Sequence, residues 1–131
     1  MIQRLLGQET EYAIRFSPVP GTLHPGNKML YRALEYGIKQ FVSIRAGERK
    51  YLQEQFFTEN GGAFCYEHQP YAPDTGLLEG ATPECSGPGE LLLYQRAQEA
   101  LLKKALPLAE KYLTKRDIPG QLGLIKNCRD A

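Results

Sequence analysis

The stretch Asn60-Gly61-Gly62-Ala63-Phe64-Cys65-Tyr66-Glu67 decides how the rest of the chain is read. Asn60-Gly61 is a strong turn signal, because both residues tolerate positive φ and close a tight hairpin at little steric cost. Beyond the turn the residues alternate. Phe64 and Tyr66 share one face of an extended strand, while Ala63, Cys65 and Glu67 share the other. Glu67 therefore points away from the apolar face. A Pro-rich loop is expected through Asp74, followed by Leu78-Glu79-Gly80-Ala81-Thr82-Pro83-Glu84-Cys85, so Glu67, Asp74, Glu79 and Glu84 fall in one strand-loop-strand segment. A hard cation such as Mg²⁺ takes oxygen ligands and keeps several waters, so one or two strand carboxylates plus substrate phosphates make a sufficient site. Taken alone, the segment is more simply read as solvated loop and edge acids.

Working outward towards the N-terminus, Leu6 to Phe16 alternates too: Leu6, Thr10, Tyr12, Ile14 and Phe16 on one face, Glu9, Glu11, Ala13 and Arg15 on the other. Carboxylates two residues apart on a strand lie roughly 6 to 7 Å from one another, close enough to act on one metal-phosphate group and to repel without one. An exposed strand face with Arg15 as partner is the other reading. Ser17 to Gly26 is a Pro/Gly loop. From Asn27, a plausible N-cap, Leu30, Leu34, Ile38, Phe41 and Val42 mark one buried helical stripe, interrupted by Gly37. Ala46 to Lys50 is a polar break, and Tyr51 to Thr58 is a strand leading into the turn. Tyr51, Phe56, Phe57, Phe64 and Tyr66 are assigned to the core.

Towards the C-terminus, Ser86 is placed as a helix cap with Pro88 in the first turn. Leu93, Ala97, Leu101, Ala105, Leu108 and Tyr112 mark one face of a long helix that Pro107 should kink or split. Pro119-Gly120 ends the element, and Leu122 to Ile125 reads as a short strand delivering Lys126, Asn127, Arg129 and Asp130. A strand that ends on polar groups normally leads into a site or a further element, so a fragment or truncated homologue is expected.

The chain's 131 residues, 42% of them hydrophobic, suit one domain with a real core. Sixteen Lys+Arg against fifteen Asp+Glu remove any bulk electrostatic case for nucleic acid or membrane as partner. Cys65, Cys85 and Cys128 show neither metal-ligand spacing nor an even count, and are read as idle thiols. No apolar run is long enough to span a membrane, and no secretory leader is evident, so a cytoplasmic protein is the default. His68 is read as a surface histidine, with orientation of Glu67 as its other role.

Four segments, taken in order, resemble the Pup ligase and Pup deamidase (depupylase) family of carboxylate-amine ligases related to glutamine synthetase. Gly7-Gln8-Glu9-Thr10-Glu11-Tyr12-Ala13 is similar to the family's G-I-E-T-E-Y-G, and Asn60 to Glu67 to N-G-A-R-L-Y-L-D. Leu78 to Cys85 resembles P-E-Y-A-T-A-E-C, and Lys126-Asn127-Cys128-Arg129-Asp130 resembles K-N-N-T-D. The family's enzymes are several times longer, so residues 1–131 correspond to an N-terminal part.

The resemblance implies an α+β fold, a curved and mostly antiparallel sheet with helices packed on one face, forming half of a glutamine synthetase-like cradle for Mg²⁺ and ATP. It implies a ligase that phosphorylates the C-terminal glutamate of a small Pup-like modifier and joins it to a protein lysine. A deamidase or depupylase-type hydrolase and a non-catalytic binding homologue are the alternatives. The short connection between Tyr12 and Asn60 is nearer the ligases than the deamidases. Carried onto this sequence, the resemblance implies Glu9 as a metal ligand, Glu79 and Glu84 as metal or phosphate-site acids, and Glu67 at the family's catalytic aspartate, the base for the incoming lysine or the nucleophile of the hydrolytic branch. Asp74 is a substitute acid, and Glu11, Asn127 and Asp130 face the nucleotide. Glu67 is one methylene longer than the family's aspartate, Ala63 and Cys65 replace arginine and tyrosine, and Leu77-Leu78 replaces His-Pro. Half a cradle would leave a sheet edge uncovered, so self-association is expected.

Overall fold

The computed structural model describes residues 4–47 and 53–126. Their elements run β1 (Glu9–Pro18), α1 (Asn27–Lys39), β2 (Ile44–Ala46), β3 (Gln53–Thr58), β4 (Ala63–Gln69), β5 (Ala72–Ala81), α2 (Pro88–Thr114) and β6 (Gly120–Lys126). The strands form one six-stranded sheet in the order β2-β3-β4-β5-β1-β6. Every pairing in it is antiparallel. The α+β expectation holds.

Local chemistry explains the central hairpins. Between β3 and β4 only Gly61 takes up positive φ (89°), and the Asn60 side chain ties the turn by accepting from the Thr58 hydroxyl at 2.7 Å and the Gly62 amide at 2.9 Å. The loop expected after Glu67 is instead a second hairpin: β4 and β5 pair up to Gln69 and Ala72, and the chain turns at Pro70-Tyr71. Tyr66 steadies it by accepting the Gly76 amide at its hydroxyl.

Both helices lie on one face of the sheet and share its core. Tyr12, Phe56, Phe64, Tyr66 and Leu78 from the strands meet Leu30, Leu34 and Ile38 from α1 and Leu102 and Leu113 from α2. Gly37 belongs at the helix crossing, because a Cβ there would come 2.5 Å from the Ala105 carbonyl oxygen. A glycine that lets two backbones approach this closely is a packing device, not a weak point.

Several local expectations need correction. Gly26, not Asn27, occupies the N-cap of α1, and the Asn27 side chain donates instead to the Gly76 carbonyl. Phe41 lies past the end of α1 and is 46% exposed, and Phe57 is 41% exposed on the face away from the helices. Ser86 is not the cap of α2, which is Gly87; its amide and hydroxyl both donate to Glu90. Proline at the start of α2 is as expected, but Pro107 does not split the helix.

The larger correction is the buried stripe of α2. It is Gln95, Gln98, Leu102, Ala105, Ala109 and Leu113, while Leu93 is 66% exposed. Reading only apolar residues rotated the helix, because two of its buried positions are glutamines. Strand β2 was not foreseen; three residues carry no pattern of their own and are strand through pairing with β3. Tyr51 lies outside the described residues.

Candidate functional site

Among the described residues, no helix lies over the sheet's other face. Alternation puts Glu9 and Glu11 there from β1, Cys65 and Glu67 from β4, and Glu79 from β5. Register then aligns them. Glu11 stands opposite Glu79, and Glu79 opposite Cys65 on its other side. Glu67 is one pleat further along β4. One carboxylate oxygen from each of Glu11, Glu67 and Glu79 can be chosen so that all lie within 4.8 Å of one another.

Three carboxylates at that separation repel. The Glu79 carboxyl is raised above the ordinary glutamate range, by burial first and then by Glu9, Glu67 and Glu11. The half-buried Cys65 thiol is pushed up to about 11 by burial and by Glu79, Glu67 and Glu9. Each influence acts in the same direction, disfavouring negative charge. Glu67 Oε2 is buried and has no hydrogen-bond partner among the described residues. A group of hard oxygen donors with unfavourable mutual charge is the donor chemistry that a small divalent cation satisfies. Such a cation prefers hard oxygen donors to sulfur, so the carboxylates are the competent ligands.

The remaining sequence-derived residues are placed as follows. Glu9 lies two residues along β1 from Glu11, close enough to act on Glu79. Glu84 is exposed in the segment joining β5 to α2, outside the group of three. Asp74 is exposed near the start of β5, its carboxylate against Gly26 at the N-terminus of α1, and the structure does not bring it to Glu67. Asn127, Asp130 and Cys128 lie outside the described residues. His68 is not a surface histidine: both ring nitrogens are buried, without a hydrogen-bond partner among the described residues, and the ring meets Tyr66 edge-on at 4.8 Å.

The chain from residue 4 to 131 matches the family model described as Pup-ligase protein. This chain belongs to the Pup-ligase family. Among curated relatives, the Pup–protein ligase of Corynebacterium urealyticum is 31% identical over 99% of this chain and 23% of the relative's length. That of Corynebacterium kroppenstedtii is 32% identical over 98% of this chain and 24% of its own. The chain therefore spans about a quarter of the curated relatives it matches. In fold it is similar to a crystal structure of the complex between the prokaryotic ubiquitin-like protein Pup and its ligase PafA. The TM-score is 0.63 at 24% identity, over 98% of this chain and 23% of that one. No helix among the described residues is long and apolar enough to cross a membrane.

Proposed function

We propose that this chain provides the metal-holding face of a Pup–protein ligase, which joins the C-terminal glutamate of a Pup-like modifier to a lysine of a target protein at the expense of ATP. The observation that carries the reading is the convergence of Glu11, Glu67 and Glu79 within 4.8 Å on the sheet face opposite the two helices. Family membership supplies the reaction class.

The residues fit Mg²⁺: three carboxylates on adjacent strands, on a face that no helix among the described residues covers, are oxygen donors that leave positions for waters and phosphate oxygens. Bound Mg²⁺ with ATP supplies charge neutralisation and a transferable phosphoryl group for activating the modifier's carboxylate. Glu79, with Glu9 and Glu11 beside it, would hold the cation. Glu67 accepts the proton that the incoming lysine amine must lose as it displaces phosphate from the activated modifier carboxylate to form the isopeptide bond, at a carboxyl whose Oε2 is already out of water. The longer glutamate reaches further from β4 than aspartate would, which places the proton acceptor nearer the front of the face. Asn127 and Asp130 are proposed to meet the nucleotide.

The test is made on the protein in its own cells. Replacing the native gene with Glu67→Gln should abolish isopeptide-modified lysines detected by mass spectrometry. Modification at the wild-type level would contradict the reading.

A further inference from the structure

We propose that Gln95 and Gln98 of α2 are positioning residues, whose side-chain amides lock β1 against β5 from behind at the one register that assembles the acidic group in front. The inference rests on the metal reading for its consequence, but on the helix face for its geometry. Both glutamines are nearly out of solvent, at 5% and 8% exposure. The Thr10 hydroxyl donates to Gln95 Oε1 at 3.2 Å, and the Tyr12 hydroxyl donates to Gln98 Oε1 at 3.0 Å. Gln95 Nε2 in turn donates to the Tyr12 hydroxyl at 3.4 Å and to Glu99 at 3.3 Å. On β5 the Gln98 amide packs onto Gly80: a Cβ there would lie 2.6 Å from its carbon and oxygen, so the amide would have to move.

These contacts fall where the site is built. Thr10 pairs with Gly80 and Glu11 pairs with Glu79, so the residues the amides touch are the immediate neighbours of the acid pair. The β1–β5 ladder covers Glu9–Tyr12 against Leu78–Ala81, prolonged by the Thr82–Gln8 backbone bond and the Leu6–Cys85 bridge, whereas β1 and β6 pair from Tyr12 to Pro18. Burial alone protects so short a ladder poorly. A slip of one residue would turn every side chain to the wrong face, but a slip of two keeps the apolar face inward and opposes Glu79 with Glu9 or Ala13. The directional contacts of the two amides add to the backbone pairing that opposes it. Moving β1 by two residues replaces Thr10 with Tyr12 or Gln8 at Gln95 and breaks the hydrogen bonds. A leucine at either position would bury more apolar surface with no desolvated amide to satisfy, so packing by itself does not explain two glutamines.

Gln98→Met keeps the volume and removes the hydrogen bonds. With Mn²⁺ as probe, read by electron paramagnetic resonance on the intact protein, we expect affinity to fall roughly tenfold or more, the size of effect seen when groups supporting metal ligands are removed. Amide exchange at Thr10–Tyr12 and Leu78–Gly80 should accelerate relative to the β3–β4 ladder. Leu113→Ala, a core truncation on the same helix, should lower stability without changing Mn²⁺ affinity in the folded protein. Should Gln98→Met not fold, Gly80→Ala serves: it should perturb the ladder in the parent and be silent in a Gln98→Ala background. Unchanged exchange across β1–β5 in Gln98→Met, or equal Gly80→Ala effects in both backgrounds, would overturn the proposal. If Glu79→Gln left Mn²⁺ binding intact, the metal reading would fall separately, and exchange alone would decide the clamp.

Discussion

The two faces of the sheet are built from neighbouring residues of the same strands and behave as different materials. Behind β4 stand Phe64 and Tyr66, buried under both helices; in front stand Cys65 and Glu67. Behind β1 and β5 stand Tyr12 and Leu78; in front, Glu11 and Glu79. The helix-covered face is held by apolar contact and by the paired amides of Gln95 and Gln98. The open face concentrates like charge, and burial followed by the neighbouring glutamates raises the Glu79 carboxyl. The difference teaches that the period of two separates stability from chemistry, so substitutions one residue apart should move different observables.

The largest expected effect is behind the sheet. Phe64→Ala should lose about 3–5 kcal/mol of unfolding free energy in denaturant titration, the usual range for emptying a buried aromatic site. A loss below about 1 kcal/mol would mean the two faces are not so unlike. Gly61→Ala comes next, at about 1–2 kcal/mol, because alanine must enter the left-handed region that Gly61 occupies at φ 89°. The same denaturant curves measure it. Leu93→Gln should stay within about 0.5 kcal/mol of the parent, since Leu93 is 66% exposed, and a larger loss would restore the apolar stripe drawn from sequence.

Glu79→Gln sharpens the contrast through pH. The folded pKa of Glu79 is raised, so between the ordinary glutamate value and the raised value the native state binds more protons than the unfolded state. Stability therefore falls as pH rises through that window and is recovered on acidification. The substitution should remove this slope and raise the melting temperature at neutral pH in the absence of cations. A melting temperature that drops would show Glu79 to be a structural partner.

Much of this arrangement was legible in sequence where the cause is local. Asn60-Gly61 announced its hairpin, and the alternation from Glu9 to Phe16 put Glu9 and Glu11 on the face away from Tyr12. The acidic group was less legible. Glu11, Glu67 and Glu79 come from three strands, and their meeting depends on registers fixed by long-range pairing. Asp74 was grouped with Glu67 by nearness in sequence, but the β4–β5 hairpin carries it to the start of α1. The face of α2 was misassigned because Gln95 and Gln98 are buried by hydrogen bonds to Thr10 and Tyr12, a reason apolar periodicity does not register.

The claim that the open face is a cation site is tested most directly by calorimetric titration of Mg²⁺ into the parent protein and into Glu79→Gln. Saturable binding to the parent that is lost in Glu79→Gln, with the folded core unchanged, is the result expected. Equal binding by both, or none by the parent, would contradict it.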